Sequence, residues 1–204
     1  MKWMDTDKLV LASRSPRRKE LLEQMGLAVE IIPADVDETE KPGQQPLAVV
    51  KALSQKKTRH IMQLQKNAWV LGADTIVVKD GQTLGKPENR EQAIHMLGLL
   101  SGRTHAVYTG YSVGHFVRSQ MKTHAVATQV VFKTLTRQEI LWYTGTQEPY
   151  DKAGGYAIQG LGAFLVKEIH GSYSNVVGLP VCELIQTLAA LEVIQFKDSH
   201  HDMD

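Results

Sequence analysis

Two serines and two arginines follow the first apolar run of this sequence, in an arrangement that suits the binding of an anion. Ser13, Ser15, Arg17 and Arg18 lie in "LVLASRSPRRKELLEQMG" (residues 9–26), where a helical pattern begins directly after the run. Backbone N–H groups at a helix N-terminus attract anions, and the planar arginine fork matches phosphate oxygens. Because arginine is electrostatically unfavourable in a first helical turn, the stretch favours phosphate binding over a solvated helix start. It lacks the glycines and the Gly-Lys-Ser/Thr ending of a Walker A loop.

Asp74 interrupts the most strand-like run of the sequence, "AWVLGADTIVV". An unpaired carboxylate is costly to bury, so Asp74 either accepts backbone hydrogen bonds at a bulge or acts as a general base or metal ligand in a cleft. Asp35, Asp37 and Glu38 form an acidic group on a predicted loop, where carboxylates are usually solvated. Carboxylates beside a phosphate site suit Mg²⁺, which takes oxygen ligands and keeps several waters.

Two lysines and a glutamine complete the candidate site. Lys57 falls on the apolar stripe of a predicted helix, either as a snorkelling lysine or as one that faces a site. Lys86 in "LGKPEN" is either a phosphate contact or a surface-turn lysine. The glycines of "DKAGGYAIQGLG" allow a backbone to approach a flat ligand closely. Among them, Gln159 has one acceptor and two donors, which match the uracil or thymine edge, although a turn glutamine bonded to backbone explains it equally well.

The elements that must position these residues alternate along the chain. Strands are predicted at "KLVLAS", "AVEIIPA", "AWVLGADTIVV", "THAVYTGYSVG", "HAVATQVVFKTL" and "AFLVKEI", and helices after Ser15, from about Pro46 to Gln65, and in "ENREQAIHMLGLL", "RQEILWYTG" and "LPVCELIQTLAAL". Asp80-Gly81 predicts a hairpin turn. Because several strands are joined by hairpins, we expect a mixed twisted α/β sheet flanked by helices, with two lobes and a cleft.

Two finer patterns support these helices. The second helix has an apolar stripe at Val50, Leu53, Ile61 and Leu64. Thr136 and Glu139 have the spacing of a capping box at the start of "RQEILWYTG".

The composition narrows the class of protein. The 204 residues include 43% hydrophobic and 22% charged residues with a formal net charge of +1, which argues against a nucleic-acid binder that relies on bulk positive charge. The single cysteine, Cys182, cannot form an internal disulfide and is predicted to be a core residue, which fits a reducing compartment. With no apolar signal region and no run of about 18 apolar residues, a cytoplasmic protein without membrane contact is expected.

The domain organisation is predicted to be simple. Residues 1–196 are expected to form one α/β domain, and residues 197–204, "KDSHHDMD", a polar tail. The histidines at positions 60, 95, 105, 115, 124 and 170 show no paired metal-ligand spacing and are interpreted as structural or solvated.

Seven motifs in series resemble the Maf family of nucleoside triphosphate pyrophosphatases, from about Leu9 to Leu188. They are "LASRSPRRKELL", "DVDE", "LGADTIVV", "LGKP", "LSGRTHAVYTG", "EPYDKAGGYAIQG" and "SNVVGLP". The resemblance implies hydrolysis of a nucleotide between its α and β phosphates, with a divalent cation, Mg²⁺ or Mn²⁺, as cofactor. It also implies a two-lobed mixed α/β fold related to the inosine triphosphatase type and permits a homodimer. The segment "DKAGGYAIQG" is similar in sequence to that of the branch acting on dTTP and UTP.

The resemblance also implies roles for single residues. Asp74 matches the proton acceptor of the family, and Glu38, together with Asp74, would hold the metal. The positions tied to substrate preference match Arg17, Thr75 and Gln159. The basic phosphate-binding positions match Arg18, Lys57 and Lys86, beside the serines Ser13 and Ser15; Lys56 could replace Lys57 there, but the apolar stripe favours Lys57.

Other functions are compatible with these residues. One is a non-catalytic, nucleotide-sensing regulator of cell division, although a pure binder would not need Asp74 and Glu38. Within the family, a 7-methyl-GTP pyrophosphatase is the alternative substrate class. An RNA-binding module built on "SPRRK" is disfavoured by the near-zero net charge. The physiological substrate could be canonical dTTP and UTP or a modified pyrimidine nucleotide that is removed before it enters nucleic acid.

Overall fold

The computed structural model describes residues 1–39 and 43–196 and contains a seven-stranded mixed sheet. The strands are β1 (Lys2–Trp3), β2 (Leu9–Leu11), β3 (Glu30–Ile31), β4 (Trp69–Lys79), β5 (Gln82–Leu84), β6 (Thr104–His115), β7 (Gln120–Phe132), β8 (Val166–His170) and β9 (Ile194–Gln195). The main sheet has the order β3-β2-β4-β6-β7-β8, with β5 also beside β4. Strand β2 is parallel to β3 and β4, and the other pairs are antiparallel. The predicted mixed sheet is therefore confirmed.

Helices connect and cover these strands. They are α1 (Pro16–Gln24), α2 (Pro46–Leu64), α3 (Arg90–Leu100), α4 (Arg137–Tyr143), α5 (Tyr173–Val177) and α6 (Val181–Ala190). Three short 3₁₀ helices, Glu148–Asp151, Ala153–Gly155 and Gly160–Leu165, make up the glycine-rich segment between α4 and β8. No helix in the described ranges is long and apolar enough to span a membrane.

Local signals explain several element ends. Ser15 is the N-cap of α1 with Pro16 at its first position, as predicted, although the serine side chain makes no capping bond. Thr136 and Glu139 form the predicted capping box of α4. Asp80 and Gly81 both have positive φ, as a two-residue hairpin between β4 and β5 requires.

The sheet has a notch on one edge of β4. Strand β2 pairs with β4 as far as Leu71, and β5 pairs with the same strand from Val77 onward. Between these positions, β4 is bordered by neither strand. Because successive strand residues point to opposite faces, the side chain of Asp74 lies at the notch on the face covered by α2, and that of Thr75 lies on the other face.

Two apolar clusters lie on the sheet face opposite α2 and form the cores of two lobes. The first packs α1 and α6 on the early part of β4, and the second packs α3 and α4 on its later part. Between them β4 and β6 present Thr75 and Thr109, whose hydroxyls are 2.9 Å apart. The predicted cleft therefore lies where polar residues interrupt the apolar face.

Some expectations about single elements are wrong. The residues predicted to begin the strand "AFLVKEI", Ala163–Leu165, end a 3₁₀ helix, because the preceding glycines favour tight turns, and β8 begins at Val166. Helix α5 and the pairing of β1 with β9 were not predicted because these elements are too short to show a period.

Two apolar residues lie outside the core. Cys182 is exposed, because the buried side of α6 is formed by Leu184, Thr187 and Leu188 and a residue two positions before Leu184 faces the other way. Leu64 is 63% exposed, because α2 ends there, whereas the stripe residues before it are buried. The predicted polar tail, residues 197–204, lies outside the described residues.

His105 makes stability depend on pH. It is 3% exposed, and burial lowers its pKa to about 4, below the value near 6.5 of an unfolded chain. Between these values the unfolded state binds the additional proton, so the free energy of unfolding falls as pH falls through this window. From pH 7 to pH 5 the contribution is about 2 kcal/mol. In urea unfolding, the free energy of unfolding of His105→Gln should fall less between pH 7 and pH 5 than that of the wild type. The exposed His95→Gln should fall as much as the wild type. Equal falls in His105→Gln and the wild type would contradict the assignment to His105.

Candidate active site

A cavity of about 430 Å³ opens at the notch, within the usual range for a small-molecule site. Its walls come from the β2–α1 connection, the loop around residues 33–38, β4 and the glycine-rich segment around residues 151–159. Every site residue predicted from the sequence lines this cavity: Ser13, Ser15, Arg17, Arg18, Glu38, Lys57, Asp74, Thr75, Lys86 and Gln159.

Asp74 is paired with a buried lysine. Lys57 Nζ lies 2.6 Å from Asp74 Oδ1 and 2.9 Å from Glu38 Oε1, and the side chains of Lys57 and Asp74 are each 9% exposed. A hydrogen bond from the Gly72 N–H to the Thr58 hydroxyl, 3.0 Å long, fixes helix α2 against strand β4 beside this pair. The ammonium compensates the carboxylate that would otherwise be costly to bury.

The geometry distinguishes Lys57 from Lys56. Lys56 is exposed and its Nζ donates to the Asp37 backbone oxygen at 2.5 Å, outside the cavity lining. Lys57 is thus the lysine that reaches the site, as the apolar stripe indicated, and it is not a snorkelling residue.

Glu38 and Asp74 are the side chains that could hold a divalent cation. Their carboxylates flank one position, at present bridged by the Lys57 ammonium. Residues 1–39 and 43–196 bring no three acidic, histidine or cysteine side chains together as a cation site. One or two carboxylates with further oxygen ligands and waters are a usual set for Mg²⁺, so the donor set fits a divalent cation.

Arg18 is built into the wall of the cavity. Its Nε donates to the Gly178 oxygen at 2.8 Å, its Nη1 to Ser13 Oγ and the Ala73 oxygen, both at 2.9 Å, and its Nη2 to Thr75 Oγ1 at 3.1 Å. Burial lowers the pKa of Arg18. Four of its five N–H groups are thus used in bonds that join the β2–α1 connection to β4 and to the α5–α6 turn. One N–H of Nη2 remains to bind a ligand.

Arg17 has a different environment. Its Nη1 lies 3.1 Å from Asp151 Oδ2, and its side chain is 22% exposed. Burial alone would raise the pKa of Asp151, but hydrogen bonds from Lys152 and Arg17 hold that pKa below its usual value. The pair links α1 to the glycine-rich segment across the cavity. Asp151 was missed in the sequence, where only its place beside a basic residue in "YDKAGG" could have indicated it.

Asn175 was also missed. It is completely buried, and its Nδ2 donates to the Val107 oxygen at 3.1 Å and to Thr128 Oγ1 at 2.9 Å. Its backbone oxygen accepts a bond from Thr109 at 3.0 Å. Asn175 therefore supports the Thr75–Thr109 pair between the two lobes. The sequence signal that could have indicated it was its position in the motif "SNVVGLP".

Comparisons with known proteins identify the family of this chain. The family described as "Maf-like protein" matches residues 8–191. A protein named dTTP/UTP pyrophosphatase from Syntrophus aciditrophicus is 48% identical over 98% of this chain and 97% of its own length, and one of the same name from Citrifermentans bemidjiense is 45% identical over 92% and 97%.

A solved structure of the Staphylococcus aureus Ham1 protein is 14% identical, with a TM-score of 0.48 over 91% of this chain and 100% of that one. The family match and the near-full-length identities show that this chain belongs to the Maf family.

Proposed function

We propose that this protein is a nucleoside triphosphate pyrophosphatase that hydrolyses dTTP and UTP to the monophosphate and pyrophosphate. The observation that carries the proposal is the buried Asp74–Lys57 pair, with the more exposed Glu38 also bonded to Lys57, in a cavity lined by Arg17, Arg18 and other cationic residues. Relatives of 45–48% identity that are named dTTP/UTP pyrophosphatase support the substrate class.

Asp74 is the proposed general base. Its carboxylate accepts a proton from a water whose oxygen forms a bond to the α-phosphorus, while the bond from that phosphorus to the bridging oxygen breaks and pyrophosphate leaves. Lys57 stabilises the ionised carboxylate at 2.6 Å. Arg17, Lys86 and the remaining N–H of Arg18 neutralise negative charge on the leaving pyrophosphate.

Glu38 and Asp74 would hold Mg²⁺ or Mn²⁺ together with the phosphate oxygens. When bound, the cation polarises the phosphoryl oxygens and neutralises part of their charge. Because the Lys57 ammonium contacts the same two carboxylates, its position would depend on whether the cation and the nucleotide are bound.

The base is proposed to bind at the end of the cavity lined by Gln159. Val77, Val107 and Tyr156 give the cavity apolar surface, and the Gln159 side chain does not cap the 3₁₀ helix that follows it. Its amide can accept from N3–H and donate to O4 of uracil or thymine. A methyl group changes discrimination by only about 10–200-fold, so both dTTP and UTP are accepted.

Gln159→Ala should raise KM for dTTP and UTP more than for purine nucleoside triphosphates. The reason is that the amide contacts the pyrimidine edge, whereas the phosphate contacts are common to all nucleotides. Steady-state kinetics with dTTP, UTP, dATP and dGTP measure the difference. An equal change for all four would give Gln159 a structural role.

A screen of pyrophosphate release tests the activity. Common nucleoside triphosphates, 7-methyl-GTP and modified pyrimidine nucleotides would each be incubated with the protein and Mg²⁺ or Mn²⁺. Preferred release from dTTP and UTP is expected. Nucleotide binding without release from any of them would favour the regulatory alternative, and preference for 7-methyl-GTP would overturn the pyrimidine assignment.

A further inference from the structure

The segment that carries Gln159 is held on both sides by two side chains outside the cavity lining. Before Gln159, the Ala157 N–H donates to Tyr143 Oη at 3.1 Å. After it, the N–H groups of Leu161 and Gly162 donate to the carboxylate of Glu148 at 2.9 and 2.8 Å.

Tyr143 and Glu148 are also bonded to each other. The Tyr143 hydroxyl donates to Glu148 Oε1 at 2.9 Å. Tyr143 is completely buried, and burial raises the pKa of its phenol, so the hydroxyl keeps its proton and donates to the carboxylate. The two side chains thus form one acceptor unit for the backbone on either side of Gln159.

The glycines after Gln159 permit this close approach. A Cβ on Gly160 would lie 2.6 Å from Glu148 Oε2, and a Cβ on Gly162 would lie 2.6 Å from Tyr143 Oη. Gly160 also has a φ of +74°, which a residue with a side chain adopts with strain. The "GLG" sequence therefore lets the backbone wrap around the carboxylate and the hydroxyl.

We propose that Tyr143 and Glu148 are positioning residues that set the base selectivity of the enzyme by fixing the backbone on both sides of Gln159. The inference rests on the proposed function, in which Gln159 reads the pyrimidine edge. Hydrogen-bond recognition tolerates only a few tenths of an ångström in donor–acceptor distance, and a displacement of about 1 Å costs about 10²-fold in a positioned site. A segment bonded on one side alone would hold the amide less accurately.

Tyr143→Phe tests the proposal, because it removes both bonds of the hydroxyl and keeps the ring in the core. The selectivity ratio, kcat/KM for dTTP divided by that for dATP, should fall about tenfold, mainly through KM for dTTP, as expected for about one lost hydrogen bond. Glu148→Gln should lower the ratio in the same direction, and it keeps the test decisive if Tyr143→Phe does not fold.

Tyr150→Phe is the matched control. Its hydroxyl donates to the Thr144 oxygen at 2.7 Å from the 3₁₀ helix that also contains Glu148, so its hydrogen bond is made to the end of α4 and not to the Gln159 segment. The ratio should remain at the wild-type value.

The outcomes separate this inference from the proposed function. If Gln159→Ala lowers the ratio but Tyr143→Phe and Glu148→Gln leave it unchanged, or lower activity equally on both nucleotides, the positioning role is overturned. If Gln159→Ala itself leaves the ratio unchanged, the base-recognition role fails and the inference fails with it. Absence of pyrophosphate release from dTTP by the wild type refutes the proposed function directly.

Discussion

Asp74→Asn is expected to lower kcat for dTTP at least about a hundredfold, because a positioned general base contributes about 10²–10⁴-fold. Asparagine has nearly the same shape and still accepts a bond from Lys57, but it cannot take a proton from water. Lys57 also keeps Glu38 at 2.9 Å, so the ammonium does not lose its only carboxylate. We therefore expect the variant to remain folded.

The measurement is pyrophosphate release at saturating dTTP and Mg²⁺, with thermal unfolding as the check on folding. Asp37→Asn is the control, because this exposed carboxylate belongs to the same acidic loop but bonds to Thr39 and does not line the cavity. Its kcat should resemble wild type. A folded Asp74→Asn protein with wild-type turnover would remove Asp74 from the chemistry.

Arg18→Met is expected to lower the free energy of unfolding by about 3 kcal/mol, since it leaves several buried acceptors without their charged donor. For a chain of this length, a loss of that size lowers Tm by about 6–12 °C. Methionine fills much of the volume of the aliphatic stem, so the change isolates the guanidinium. Urea unfolding and calorimetry measure the effect.

Arg17→Met is the comparison within the same helical turn. Its ion pair with Asp151 is partly exposed on both sides, and such pairs contribute about 0–1 kcal/mol. Stability should therefore change little, while KM for nucleotides rises. Equal losses of stability in the two variants would contradict the view that Arg18 holds the cavity wall and Arg17 serves the ligand.

The adjacent basic pairs show how far local pattern predicts contacts. The apolar stripe of α2 correctly selected Lys57 over Lys56, because helical periodicity decides which side of a helix meets the sheet. The same kind of argument could not separate Arg17 from Arg18. Their difference depends on Gly178 and Asp151, which lie 160 and 134 positions further along the chain.

Cys182 shows where the local pattern is misleading. An apolar stretch predicts burial for all its members, but α6 buries only one side. Which side that is depends on the direction from which α6 meets the rest of the molecule.

The set of residues that line the cavity was predicted with the help of the resemblance to the Maf family. The amino-acid pattern alone was enough to predict the mixed α/β class, the strand whose apolar run contains Asp74, and the helix start at Ser15-Pro16. These depend on hydrophobic periods, caps and turn residues, which act over a few positions. Only the packed chain shows that β2 ends where β4 presents Asp74, that Lys57 pairs with Asp74, and that Tyr143 and Glu148 hold the segment around Gln159. Such contacts follow from strand order and from the approach of distant segments, which local periodicity does not encode.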